Sequence, residues 1–99
     1  MKTSSILSAC ADKLEKPGAW IQGKEANLAQ CSVTAIDGLT GDFDLTKEAC
    51  RAICASLGVP VNVSEVLDVI RWNDAPERTQ AEVVAAFRKA AQAEREAGR

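Results

Sequence analysis

Leu45-Thr46-Lys47-Glu48-Ala49-Cys50-Arg51-Ala52-Ile53-Cys54-Ala55-Ser56-Leu57-Gly58 decides the fold class. Cys50, Ile53, Cys54 and Leu57 recur at i, i+3, i+4 and i+7, the spacing that lines one face of an α-helix, while Lys47, Glu48 and Arg51 lie elsewhere around the cylinder. Asp44 or Thr46 can cap its start, and Gly58 with Pro60 closes it. No period-two alternation lasts long enough elsewhere in the chain to compete, so the expectation is all-α.

The same periodicity repeats on both sides. Thr3 to Ser5 offer caps for a first helix with Leu7, Cys10 and Leu14 on one face, stopped at Lys16-Pro17-Gly18. Residues 17–25 read as a loop carrying Trp20. A second helix is expected from about Ala26 to Ile36, with Asn27 as cap, Leu28, Cys31 and Ala35 on one face, and a left-handed Gly38 at its end. The stretch 37–44, with three Asp and two Gly, reads as a turn-rich connector.

Beyond Gly58, Asn62 and Glu65 form a capping box for a short helix with Val63, Val66, Leu67 and Ile70 inward, ending near Trp72-Asn73-Asp74. The last helix has two overlapping boxes, Asp74 with Glu77 and Thr79 with Glu82. The first makes Pro76 a first-turn residue, the second leaves 74–78 as a tight turn, and both stay open in the sequence. Either start puts Val83, Phe87, Ala90 and Ala91 on the apolar face, and the tail from Gln92 is expected to fray. The whole reads as a compact bundle of about five short helices in a single domain spanning residues 1–99.

Composition supports one thin core. Leu, Ile, Val and Phe number 22 in 99 residues and Ala 17, so burial is alanine-rich and each large side chain counts. A net charge of −2, from 12 basic and 14 acidic residues, gives no broad field for nucleic acid. No run approaches the ~20 apolar residues of a membrane span. Leu7-Ser8-Ala9-Cys10 resembles a bacterial lipobox, but Ile6 and Leu7 are the sole strong hydrophobes before Asp12, Lys13 and Glu15, too few for a secretory segment. A cytoplasmic location with reduced thiols is therefore expected.

Four cysteines admit three readings: core packing, a four-thiolate zinc site, or a regulatory thiol pair. Cys10, Cys31, Cys50 and Cys54 sit on helical apolar stripes rather than in knuckles on tight turns, which favours the core. No metal or cofactor is expected.

A polar-aromatic set stands apart from core and plain surface: Trp20 and Gln22 in the first loop, then Trp72, Asn73, Asp74, Arg78 and Thr79 before the last helix. One reading is structural, with the tryptophans plugging the core, Asp74 and Thr79 as caps and Arg78 paired with Asp74. The other is functional: the two loops meet as a surface for a ligand or partner, since Trp and Arg are enriched in binding hot spots.

Trp20-x-Gln22-Gly23, the second-helix Cys31, and Trp72-Asn73-Asp74-x-x-x-Arg78-Thr79-x-x-Glu82-Val83 resemble a family of small uncharacterised proteins of bacteria and their phages. The likeness spans most of the chain in order. It departs at a shortened linker between the Trp-x-Gln-Gly loop and Cys31, and at Glu77, where a small residue is expected. The resemblance implies no reaction.

Catalysis finds little to use. The chain has no His or Tyr and no phosphate-binding Gly-rich loop, and Asp74 beside Arg78 is a weakened base. DNA binding is disfavoured because Arg71 is the single basic residue between Arg51 and Arg78. The expectation is a small non-catalytic binding module for a protein partner, an accessory or inhibitor of phage or mobile-element kind. The alternative is a small-molecule or nucleotide binder using the Trp/Asn/Asp/Arg surface. Self-association is a further expectation, from the thin core and the alanine-rich last helix.

Overall fold

A computed structural model describes residues 2–20, 36, 38–60 and 64–99. Its helices are α1 (Thr3–Leu14), α2 (Phe43–Leu57), α3 (Glu65–Asn73) and α4 (Gln80–Glu96). Ile36 and residues 38–40 are helical as well, giving five helical segments and no strand among the described residues. The all-α expectation holds. The Cα radius of gyration, 12.0 Å, matches the ~13 Å of a compact domain of 100 residues.

α1 and α4 run antiparallel and are fastened at both ends. At one, the Ser4 amide and hydroxyl donate to the Arg99 carbonyl, at 3.3 and 3.2 Å. At the other, the Gln80 amide donates to the carbonyls of Leu14 at 2.7 Å, at the end of α1, and Lys16 at 2.8 Å, which also accepts from the Ala19 amide. α2 packs on α3 and α4 and, less extensively, on α1. Ile6, Leu7, Cys10 and Leu14 of α1 meet Cys50 and Ile53 of α2, Val69 of α3, and Val83, Phe87 and Ala90 of α4 in one buried cluster that includes Ile36. Fully burying a Leu, Ile or Phe contributes about 1.5–3 kcal/mol, so the few large side chains carry the core.

Cys10, Cys50 and Cys54 are all in that cluster, between 0 and 3% exposed, as the core reading of their stripes requires. Burial pushes the Cys10 thiol up to about 11, against a weaker opposing pull from Lys13. Cys54 is likewise raised, by burial first and then by Asp68 and Glu65, and its thiol approaches the Glu65 carbonyl. Cys31 lies outside the described residues, as do Ala26 to Ala35 of the second expected helix and Asn62 and Val63 of the short helix expected after Gly58.

Several boundaries move, each for a local reason. α1 starts on Lys2 without a side-chain cap, because Thr3 and Ser4 are buried inside its first turn and Ser4 is committed to Arg99. The stop expected at Asp37-Gly38 gives way to helical residues 38–40, and the left-handed glycine is Gly41, with φ +60°. That reversal leaves Asp42 extended, so its carboxylate accepts from the amides of Asp44 (2.8 Å) and Leu45 (3.3 Å) and caps α2 in place of Asp44 or Thr46. Thr46, now inside the helix, donates back to the Asp42 carbonyl. The early start leaves Phe43 67% exposed.

Ser64 caps α3 by accepting from the Leu67 amide at 3.2 Å. Its inward stripe is set by packing on α2: Val69 and Asn73 are buried, Val66 is half-buried, and Leu67, expected inward, is exposed. For α4 the second of the two boxes wins. Thr79 accepts from the Glu82 amide at 3.2 Å, and residues 74–78 form a tight turn. The segment after Gln92 is helical to Glu96, and Glu94, 3% exposed, is held by both Arg51 and Arg99.

Candidate functional site

The end of α3 builds the site. Trp72 and Asn73 close the helix, Asp74 is its C-cap, and the turn is drawn tight by the Arg78 amide donating to the Ala75 carbonyl at 2.9 Å. Arg78 therefore projects back over the helix it has just left. Its Nε donates to the Trp72 carbonyl at 3.0 Å, its Cζ stands 4.5 Å from the Trp72 ring centroid, and its Nη1 reaches Glu82 at 2.8 Å. The expected pairing of Arg78 with Asp74 is replaced by this one, because the turn directs the guanidinium toward the first turn of α4, where Glu82 lies at i+4. A cation stacked on indole is worth about 0.5–2 kcal/mol, depending on how far it is desolvated. The Arg78 side chain is only 16% exposed.

Asn73 is the buried polar centre. It is 1% exposed; its Oδ1 accepts from the Trp20 indole N–H at 2.7 Å and its Nδ2 donates to Asp74 at 3.1 Å. Trp20 packs against the core from the loop after α1. Thus the structure joins Trp20, Asn73 and Asp74 in one chain of hydrogen bonds, and Trp72, Arg78 and Thr79 in a second that meets at Glu82. Gln22 lies outside the described residues. Two of the set serve the scaffold plainly: Asn73 satisfies buried groups, and Thr79 caps α4.

What faces outward is a shallow groove of about 280 Å³ with Leu57, Trp72, Ala85 and Ala86 as its apolar floor and Arg78, Glu82 and Lys89 at its rim. Across the crest of α4 lies a second groove of about 440 Å³, between Val84, Ala81 and Gln80 on one side and Glu15 with Arg88 on the other. Arg88 is held there by Asp12 and Glu15 of α1. Gln80, Ala85 and Lys89 escape a reading of motifs. Their signal is positional: Ala85 and Lys89 lie on the α4 face opposite Val83 and Phe87, and Gln80 opens α4 beside the end of α1.

A family model matches residues 1–93, which takes in α1, α2, α3, most of α4 and both tryptophan segments. The chain belongs to DUF6197, a family of unknown function. No curated protein and no solved structure is a match for it. That the family is one of unknown function agrees with the resemblance at that level alone, and it attaches no reaction to the site. Among the described residues of this DUF6197 chain, no helix is long and apolar enough to cross a membrane, and no three His, Cys, Asp or Glu residues gather as a metal site would need.

Proposed function

We propose that this DUF6197 chain is a non-catalytic binding module, and that a protein partner docks on the groove between α4 and the end of α3. The observation that carries this reading is Trp72 lying under the Arg78 guanidinium at the edge of an apolar floor. Indole and guanidinium are the groups most enriched in interface hot spots, and here both are held rigid before any partner arrives, which lowers the entropic cost of binding. A ring-stacking small ligand fits less well, since Arg78 already covers the indole and its Nε and Nη1 are spent on Trp72 and Glu82.

The resemblance to proteins of bacteria and their phages supports a role as an accessory or inhibitor encoded by a phage or mobile element. The cytoplasm is the compartment proposed, where thiols such as Cys10 and Cys54 stay reduced.

The test compares the wild-type chain with Arg78→Ala and Leu57→Glu as bait in extracts, followed by reconstitution of any retained protein from purified components. A purified partner that binds the wild type and loses about tenfold or more with either variant, both still helical by circular dichroism, is the expected result. A partner indifferent to both variants, or a saturable tryptophan-fluorescence response to a nucleotide in its place, overturns it.

A further inference from the structure

The two grooves share one residue. Ala85 lines both, so it is the crest of an exposed strip along α4 that runs through Ala81, Ala85, Lys89 and Gln92, opposite the buried Val83, Phe87 and Ala90. We infer that a second copy of this chain docks on this strip, α4 against α4 in antiparallel orientation, with a two-fold axis beside Ala85. The inference rests on the reading of this face as a contact surface and names its occupant.

Charge complementarity carries it. Glu82 and Lys89 are seven residues apart, about two helical turns, so they lie on the same flank of α4, one before Ala85 and one after it. An antiparallel two-fold through Ala85 brings Glu82 of each copy beside Lys89 of the other, and the contact occurs twice. Neither charge is buried: both residues are exposed. Glu82 already holds Arg78 and Thr79 within its own copy, so the partner's Lys89 is a second cation on a shared carboxylate, while the ion pairs among the described residues leave Lys89 out. On the opposite flank Arg88, drawn toward Asp12 and Glu15, faces the small Ala81 of the other copy, so no like charges collide there. A parallel two-fold would bring this flank against the opposite flank of the other copy and set Lys89 beside Arg88, a like-charge contact made twice.

Size agrees with charge. Ala81 and Ala85 on the crest let two helix axes come to the short end of the usual 8–10 Å range. Val84 on one slope and Ala86 with Trp72 on the other then supply the apolar area that each groove leaves open.

Sedimentation equilibrium on the full chain tests this with charge exchange. The wild type is expected to dimerise with rising concentration from its 10.5 kDa monomer. Glu82→Lys and Lys89→Glu, each alone, are expected to raise the dissociation constant roughly tenfold or more, because each sets like charges across both symmetric contacts. A mixture of the two variants is expected to associate more tightly than either variant alone, since every cross-copy contact between positions 82 and 89 is then complementary; Glu82→Lys also loses its own pair with Arg78, so recovery short of the wild type is expected.

Ala85→Cys in a Cys31→Ser background gives a second measurement that does not disturb the Thr79 cap. It is expected to form an 85–85 disulfide dimer on mild oxidation, while Glu96→Cys is not. A wild type that stays monomeric, a dimer insensitive to both charge variants, or no gain on mixing overturns the inference. If the chain is monomeric yet a purified heterologous partner still depends on Arg78, the second copy is excluded and the binding surface stands.

Discussion

The Trp20 indole N–H donates to Asn73 Oδ1 at 2.7 Å across 53 residues of sequence, and Asn73 is 1% exposed. The bond links the loop after α1 to the end of α3, the point from which Trp72 and Arg78 are presented. Replacing Trp20 by Phe keeps an aromatic ring and removes the donor. A buried acceptor left without its partner costs about 1–3 kcal/mol. Urea unfolding is expected to show a midpoint lowered by about 1 M with an unchanged slope.

Arg78 has three simultaneous engagements, with the Trp72 carbonyl, the Trp72 ring and Glu82. Lysine can satisfy the last but offers neither an Nε bond nor a planar face. Arg78→Lys is therefore expected to lose most of what Arg78→Ala loses, about 1–2 kcal/mol, equivalent to a drop in Tm of roughly 4–16 °C for a domain of this size. Thermal melts of the two variants side by side measure it, and a lysine variant equal to wild type shows that charge alone matters.

Glu94 gives a pH dependence of known sign. Burial by itself disfavours its carboxylate, but hydrogen bonds from Arg99 and Arg51 and the charges of both outweigh that, so its ionisation lies below the usual carboxylate range. A folded value below the unfolded one means stability that is complete above the ordinary ~4.3 and is lost as pH falls through the depressed folded value. Glu94→Gln is expected to lower stability at pH 7 by on the order of 1–3 kcal/mol, while changing it little at the acid end. Denaturant titrations of wild type and variant between neutral and acid pH check both halves.

With its thiol at about 11, Cys10 carries roughly one thiolate per thousand molecules at pH 8, and it is 1% exposed. Cys54 is shifted in the same direction. In a Cys31→Ser variant the remaining thiols are expected to react with an aromatic disulfide reagent only as fast as the core opens, and at once in denaturant. Stoichiometric fast labelling of the folded variant contradicts the core assignment.

Much of this was legible from residue spacing. The stripe Cys50, Ile53, Cys54 identified α2 and its buried face, and Val83, Phe87, Ala90 and Ala91 did the same for α4, because a 3.6-residue period reports a face whatever it packs against. The caps were less legible. Asp42, Asp44 and Thr46 are all competent N-caps, and the choice fell to Asp42 because Gly41 in the left-handed region sets the chain direction one residue earlier. On α3 the cap is Ser64, and packing against α2 puts Val69 in and leaves Leu67 out.

The candidate site divides along the same line. Trp72, Arg78 and Thr79 are close in sequence, and their association follows from one tight turn. Trp20 with Asn73, Gln80 with Leu14 and Lys16, and Glu94 with Arg51 join residues far apart in the chain, and no local pattern marks them.

Local spacing was enough to establish that the chain is helical, which described faces are apolar, and that Cys10, Cys50 and Cys54 belong to those faces. Packing set which cap opens each described helix, that Asn73 is buried and bonded to Trp20, that Arg78 turns to Glu82 rather than Asp74, and that Ala85 stands between two open grooves. Each of these depends on which groups are brought within hydrogen-bond reach or removed from water by elements distant in sequence, and that is settled by packing rather than by propensity.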